Sequence, residues 1–381
     1  MSMLENKTIL ILSPQSWGNM FISKHHYAIA LAEKGNSVYF LSPPGDPRPA
    51  EKIHIKPSGI HENLFIVEHR ISFPYRLKFR ALPVFHWLMK WHIKKLLKQL
   101  GTPDIVWSFD IGWLYPFDYF PASALKIFHP VDEPSARISI EAANGADVIF
   151  SVTQEILDKY RHLPVPRYFI NHGLATEFVN GFPQQVATGM LKVGFSGNLL
   201  RNDIDRPVFL QIIEENPGVN FECWGPYRLN DSNIGGDQDP EMKSFVERLQ
   251  TQKNVVLHGA VPVKKLAGEL HRMDAFLICY DVQRDQSKGT NYHKIMEYLS
   301  TGKVIVSNNV TTYKNREDLV QMIADRQSNQ ALPALFKKVI GNIGQYNSPD
   351  AIQNRRQFAG NNTYHAQVER IGECLEQLQK D

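Results

Sequence analysis

What constrains this chain most is a repeated alternation. Short runs rich in β-branched and aromatic residues are followed by stretches with helical periodicity. In the first half the runs fall at 8–13, 37–41, 64–68, 104–108, 126–129, 148–151 and 168–171, with helical patterns at 24–34, 85–100 and 154–161. A strand that is followed by a helix and then another strand returns in the same direction. The sheet is therefore mostly parallel and covered on both faces. The rhythm pauses at 180–190, a polar stretch with Gly and Pro that reads as a linker. A second series follows at 192–196, 220–223, 255–258, 275–280 and 304–307, with helices expected at 207–215, 241–250, 264–272 and 292–301. Beyond Glu317 the pattern reads as helical to the end. The simplest solution is two successive doubly wound α/β domains. Ligands of such sheets sit at the carboxyl ends of the strands, and the interdomain cleft is expected to hold them.

Composition removes several function classes. Lys and Arg number 42 against 39 Asp and Glu, a net charge of +3 that is too balanced for a dedicated nucleic-acid binder. With 43% hydrophobic and 21% charged residues, the chain is neither disordered nor of low complexity. No apolar run is long enough for a membrane span, and no secretory leader is expected at the polar start. Cys223, Cys279 and Cys374 are far apart and form no Cys-x-x-Cys pair, which argues for a reducing compartment and against a zinc site. There is no P-loop and no Gly-x-Gly-x-x-Gly.

The segment Asn291-Tyr-His-Lys-Ile-Met-Glu-Tyr-Leu-Ser-Thr-Gly-Lys303 is the best candidate for chemistry. It reads as a helix over 292–301, with Asn291 as N-cap and Gly302 as C-terminal stop. Ile295 and Leu299 face a core, while Lys294, Glu297 and Thr301 share the other face. The free N–H groups of a helix start, joined by His293 and Lys294, suit a phosphate. Glu297, one turn on, can accept two hydrogen bonds from a vicinal diol such as a ribose. Anion site plus diol acceptor matches a nucleoside diphosphate. The same spacing also fits an ordinary amphipathic helix with a surface Lys–Glu pair.

The run Lys294-Ile-Met-Glu297-Tyr-Leu-Ser-Thr-Gly302-Lys-Val-Ile-Val-Ser307 resembles the nucleotide site of GT-B glycosyltransferases similar to family 4. That site typically reads Lys-x-x-Glu-Tyr-Leu-x-x-Gly-Lys-x-Val-Val-Ser. Residues 192–201, 221–227, 255–262 and 168–174 resemble further segments of the same family, and 356–375 looks like its terminal helix. The resemblance implies two Rossmann-like doubly wound parallel-sheet domains facing a cleft. Residues 1–185, with a C-terminal helix at about 350–381 crossing back, would be the acceptor side; residues 186–349 would bind the nucleotide-sugar. It implies a hexosyltransferase-like enzyme, retaining and metal-independent, without a cofactor. The donor would be UDP- or GDP-linked and the acceptor a saccharide or lipid-linked molecule, as in cell-surface polysaccharide synthesis.

Roles follow residue by residue from that resemblance. Lys294 and Arg201 or Arg206 would hold the diphosphate, and Glu297 the ribose. Gly197 and Asn198 belong to the same loop, where Gly197 lets the backbone approach a ligand closely. Asn291 and His293 complete the donor side. His129, ending a predicted strand, would face the sugar; in an inverting reaction His129 or Asp132 would be the general base. Trp17, Gly18 and Asn19 follow the first strand and would line the acceptor side, with Ser23 capping the next helix. The family's Glu eight residues before Glu297 is here Gly289. That departure leaves the sugar and the stereochemical outcome open. It also keeps two alternatives open, a GT-B-fold epimerase or phosphorylase and a non-catalytic nucleotide-sugar binder. Asp203-Ile-Asp205 and Asp237-Gln-Asp239 spell a metal-binding pattern of the other large glycosyltransferase fold, but the pattern is short and no metal role is expected.

Residues 69–103 contain no Asp or Glu but carry Arg70, Arg76, Lys78, Arg80, Lys90, Lys94, Lys95 and Lys98. On the helix 85–100, Phe85, Leu88, Met89, Ile93, Leu96 and Leu100 form one stripe, and Trp87, Trp91, Lys94 and Lys98 fall opposite. The region 76–98 reads either as a solvated basic face or as a contact for an anionic membrane surface. The chain is accordingly expected in the cytoplasm, with a peripheral position on the inner membrane face as the sharper expectation.

Overall fold

The computed structural model describes residues 3–18, 21–45, 52–179, 189–228, 240–285 and 287–378. The chain forms two compact units, Met1–His172 with Tyr364–Asp381, and Gly173–Thr363.

The first unit contains β1 (Thr8–Leu12), α1 (Ser23–Glu33), β2 (Ser37–Leu41), β3 (Ile53–Pro57), β4 (Leu64–His69), α2 (Leu77–Arg80), α3 (Leu82–Leu100), β5 (Ile105–Ser108), β6 (Leu125–Phe128), α4 (Arg137–Glu141), β7 (Val148–Ser151), α5 (Gln154–Asp158) and β8 (Arg167–Phe169). Its sheet runs β3-β4-β2-β1-β5-β6-β7-β8, parallel except for β3, which pairs antiparallel with β4. In β1, Leu10 lies opposite Tyr39 of β2 and Val106 of β5. Leu10 and Leu12 join the cluster that receives Phe85, Met89, Ile93 and Leu96 of α3. Each such buried side chain contributes about 2 kcal/mol. Ile9 and Ile11 are equally buried, so the strand is covered on both faces.

The second unit contains β9 (Leu191–Ser196), α6 (Arg206–Glu215), β10 (Val219–Trp224), α7 (Pro240–Thr251), β11 (Val255–Gly259), α8 (Val263–Leu270), β12 (Ala275–Ile278), α9 (Lys294–Thr301), β13 (Val304–Ser307), β14 (Gln321–Met322), α10 (Leu332–Gly341), α11 (Ile343–Tyr346) and α12 (Pro349–Gly360). Its sheet is parallel throughout, in the order β11-β10-β9-β12-β13-β14. The last helix, α13 (Tyr364–Leu378), belongs to the first unit. There Lys34 pairs with Glu369 at 2.6 Å and Glu33 with His365 at 2.5 Å, beside the packing of α13 on α1.

The structure departs from the sequence reading at several points. The edge strand β3 was not expected, because its Ile-His-Ile-Lys-Pro alternation is short and only half-buried. The chain is not helical throughout beyond Glu317, because β14 intervenes and the next helix starts only at Leu332. The chain leaves the first unit after His172, ahead of the 180–190 stretch, most of which lies outside the described residues. Leu174 bridges to Thr363, so this short segment belongs with the second unit. Ser23 is the first residue of α1 rather than its cap; Ile22 occupies that position.

Candidate donor site

The second unit's strand order reverses at β9. The chain steps outward to β10 and β11, then returns to place β12 on the other side of β9. Such a reversal opens a crevice at the carboxyl ends of the two central strands. Ser196 ends β9, and Tyr280 lies just beyond β12. Lys294, the first residue of α9, reaches across this point. Its Nζ donates to the Ser196 carbonyl at 2.6 Å and to the Tyr280 hydroxyl. One turn later the Tyr298 hydroxyl accepts from the Ser196 amide at 2.8 Å, while its ring stacks on Phe276 at 4.1 Å. Helix α9 is thereby pinned to the end of β9.

Two glycines make that approach feasible. A Cβ at Gly197 would sit 2.9 Å from Lys294 Nζ and 3.0 Å from the Tyr280 hydroxyl. Gly225, at φ +127°, packs so closely that a Cβ there would lie 2.0 Å from the Gly197 carbonyl oxygen. At the far end of α9, Gly302 takes the left-handed conformation, φ +81°, that the expected stop requires.

The electrostatics of this crevice are unbalanced. Lys294 is 6% exposed, and its ammonium lies 5.2 Å from the centre of the Phe195 ring and 4.8 Å from that of Tyr280. Among the described residues no carboxylate forms an ion pair with it. A buried cation held only by neutral oxygens is poised for an anion. Glu297 lies on the same helix, its Oε1 4.0 Å from His293 Nε2. Burial pushes its carboxyl up to about 7, with Lys294 opposing the rise and Glu177 adding to it. Asn198 Oδ1 accepts from the Leu200 amide at 3.0 Å, whereas its buried Nδ2 finds no partner among the described residues. His293 occupies the N-cap position with its side chain largely exposed. Asn291 is buried but is not the N-cap: α9 starts later than expected, because 290–293 continue the preceding loop.

The two arginines separate. Arg201 is partly exposed and hydrogen-bonds Asp203 Oδ2 through Nε at 2.8 Å; its charge is felt by Tyr280. Arg206 is buried as the first residue of α6, donating to the Arg201 carbonyl at 3.2 Å and facing the Phe245 ring at 6.0 Å. It shapes the loop from within. The Asp203-Ile-Asp205 pair has structural duties: Asp203 binds Arg201, and Asp205 caps α6 through the Val208 amide and accepts from Asn329. Asp237 and Asp239 lie outside the described residues. No group of three metal-ligating side chains occurs among the described residues.

The Gly289 position has a local physical cause. Lys288 and Gly289 both have positive φ, +52° and +65°, and a Cβ at Gly289 would approach the Asn309 carbonyl oxygen to 2.8 Å. The turn is held by buried Asp285, whose Oδ2 accepts from the Gly289 amide at 3.0 Å and the Tyr292 hydroxyl at 2.8 Å. A glutamate does not fit at 289 in this loop. Sequence reasoning gave no role to Asp285, Tyr280 or Tyr298. Only Tyr298 carried a signal, as part of the Glu-Tyr-Leu motif.

In the first unit, His129 follows β6 but has no exposed surface. Its ring lies among Tyr27, Phe109 and Trp107 at 5.1, 5.0 and 6.0 Å, and Trp107 Nε1 donates to its Nδ1 at 3.3 Å. Burial lowers its pKa to about 3. This differs from the expectation of a ring open to a sugar: the ring is enclosed by aromatics of its own unit, and its buried Nε2 has no hydrogen-bond partner among the described residues. Asp132 is exposed. It and Asp110 attract Lys24, a buried lysine that donates to Gln15 Oε1 and whose pKa burial lowers to about 8. Trp17 packs on Phe21 and Phe40 at 5.0 and 4.9 Å, Gly18 is exposed, and Asn19 lies outside the described residues. The structure thus brings Gly197, Asn198, Lys294 and Glu297 together at one strand-end crevice, with Arg201 at its edge, and leaves Arg206 and His129 inside the packing.

No protein-family model matches the chain, and no curated protein matches it in sequence. Solved structures do share its fold. Sucrose-phosphate synthase from Thermosynechococcus elongatus aligns with TM-score 0.70 at 11% identity, covering 98% of this chain and 99% of that one. HepE from Anabaena, crystallised with UDP and glucose, aligns at 0.64 and 14%, covering 97% and 99%. A glycosyltransferase from Rickettsia africae aligns at 0.66 and 12%, covering 99% of both chains. The chain has the GT-B fold that the resemblance implied.

Proposed function

We propose that this chain is a glycosyltransferase that moves a sugar from a nucleotide-sugar donor to a saccharide or lipid-linked acceptor. One observation carries the reading: the Lys294 ammonium, buried with no ion-paired carboxylate among the described residues, at the strand-order reversal and one turn before Glu297. In this reading the donor diphosphate completes the charge of Lys294, with Arg201 beside it and Asn198 Nδ2 supplying a hydrogen bond. Glu297 accepts the ribose hydroxyls. Stabilising the departing diphosphate and orienting the sugar supply most of the rate enhancement. The fold shared with HepE, which was crystallised with UDP and glucose, makes a uridine donor the first to test. Retention of configuration, independence from metal, a part in cell-surface polysaccharide synthesis and a cytoplasmic setting complete the proposal. The free thiols of Cys223 and Cys279 suit that setting. Asp132 and Trp17 are assigned to the acceptor.

A thermal-shift panel of UDP, GDP, ADP and CMP is the first experiment. One nucleoside diphosphate should stabilise the chain, and its sugar conjugate should be consumed only when acceptor is present, in EDTA as in its absence. NMR of the product anomer reads the configuration. Sugar release that ignores the acceptor would move the assignment to an epimerase or phosphorylase. Stabilisation by no nucleotide would end it.

A further inference from the structure

The first unit carries a surface that donor binding does not use. Phe79 of α2 is 78% exposed, and Trp87 and Trp91 of α3 are 71% and 60% exposed. Trp87 and Trp91 are one helical turn apart, so they share a face. Lys94 and Lys98 are exposed and extend the same stripe toward the C-terminus. The opposite face of α3 is already buried through Phe85, Met89 and Leu96. The exposed tryptophans are therefore a second apolar face, beyond what the core needs. Lys95 Nζ stands 3.5 Å over the Trp91 ring. The acidic groups near this face come from outside α3. Asp118 pairs with Lys90 at 2.6 Å, and Asp110 lies beneath Gly112, near Lys78.

We propose that this face docks on an anionic lipid bilayer. Aromatic rings with a polar edge settle at headgroup depth, and lysines beside them meet lipid phosphates. Charge complementarity selects this occupant. The segment 69–103 holds no acidic residue, so a second copy of the chain would set lysines against lysines across a symmetric contact. No helix among the described residues is long and apolar enough to cross a membrane, so the contact is peripheral. An enzyme held this way would meet a lipid-linked acceptor at the bilayer surface. The docking face itself is independent of the donor-site reading.

The test is co-sedimentation of the full chain with vesicles of phosphatidylcholine and phosphatidylglycerol, against vesicles of phosphatidylcholine alone. Wild type should bind the anionic vesicles, with a blue shift in tryptophan emission, and release in high salt. W87S/W91S and K94E/K98E should each weaken binding about tenfold or more, with unchanged circular dichroism and melting. K294M should bind vesicles like wild type, which separates this proposal from the donor site. Absence of wild-type binding to anionic vesicles, or binding by both double variants as tight as wild type, overturns it. A concentration-dependent dimer abolished by W87S/W91S, without vesicle binding, would assign the face to a second copy instead.

Discussion

Lys294 Nζ lies 2.6 Å from the carbonyl oxygen of Ser196, joining the start of one helix to the end of a strand nearly a hundred residues earlier. The contact turns a surface-type residue into a buried cation held by the Ser196 carbonyl and the Tyr280 hydroxyl.

Lys294→Met should therefore divide stability from binding. Methionine removes the desolvation cost of a buried ammonium but leaves the Ser196 carbonyl and the Tyr280 hydroxyl without their donor. The two effects oppose, so the melting temperature should change little. Affinity for the stabilising nucleoside diphosphate should fall at least about tenfold, a loss of about 1.4 kcal/mol or more. The parent nucleoside should bind nearly unchanged. Isothermal titration calorimetry of the two ligands decides it, and an equal loss for both would contradict the assignment.

Gly197→Ala tests the same contact from the strand side. The added Cβ would arrive 2.9 Å from Lys294 Nζ, and the flexible lysine head is the group that must yield. Weaker nucleotide binding with little change in urea midpoint is expected. Gly225→Ala should behave differently. Its Cβ would meet backbone rather than side chain, at positive φ, so a loss of about 3 kcal/mol or more is expected from urea denaturation.

Glu297 should give a distinctive pH signature. Burial raises its carboxyl from the ordinary 4.5 to about 7. Between those values the folded chain holds a proton that the unfolded chain has released. The contribution of this group is thus fully present below about 4.5 and is lost as pH rises through about 7. Subtracting the stability profile of Glu297→Gln from wild type should show that decline. If the ionised carboxylate accepts the ribose diol, nucleotide affinity should rise across the same upper range, and Glu297→Gln should flatten it.

Acid should act on the first unit in the opposite sense. His25, His69, His92 and His129 are buried there, and burial lowers their pKa values to about 4, 3, 4 and 3. Each gains its proton in the unfolded chain near 6.5 but in the folded chain only far below. Stability is therefore complete above about 6.5 and falls with acidification toward 3–4, by up to about 1.4 kcal/mol per pH unit for each independent histidine. His69 and His92 share a hydrogen bond at 2.9 Å, and His92 adds to the lowering at His69. Hydrogen exchange at pH 5 should show protection lost first in the first unit. Earlier loss in the second unit would refute this.

The periodicities were enough to place both parallel sheets, since buried strands and amphipathic helices leave local patterns that survive without knowledge of neighbours. The Lys294–Glu297 spacing and the left-handed stop at Gly302 were likewise readable from their own helix. The edge strand β3 and the two-residue β14 were not, because so short a pairing is specified by the partner strand. Whether a lysine is solvated or enclosed, and whether His129 meets a ligand or a ring of aromatics, depends on residues distant in sequence. Burial and hydrogen-bond closure are properties of the assembled chain. That is why Tyr280, Tyr298 and Asp285 emerged as supports of the site only when β9, β12 and α9 were brought together.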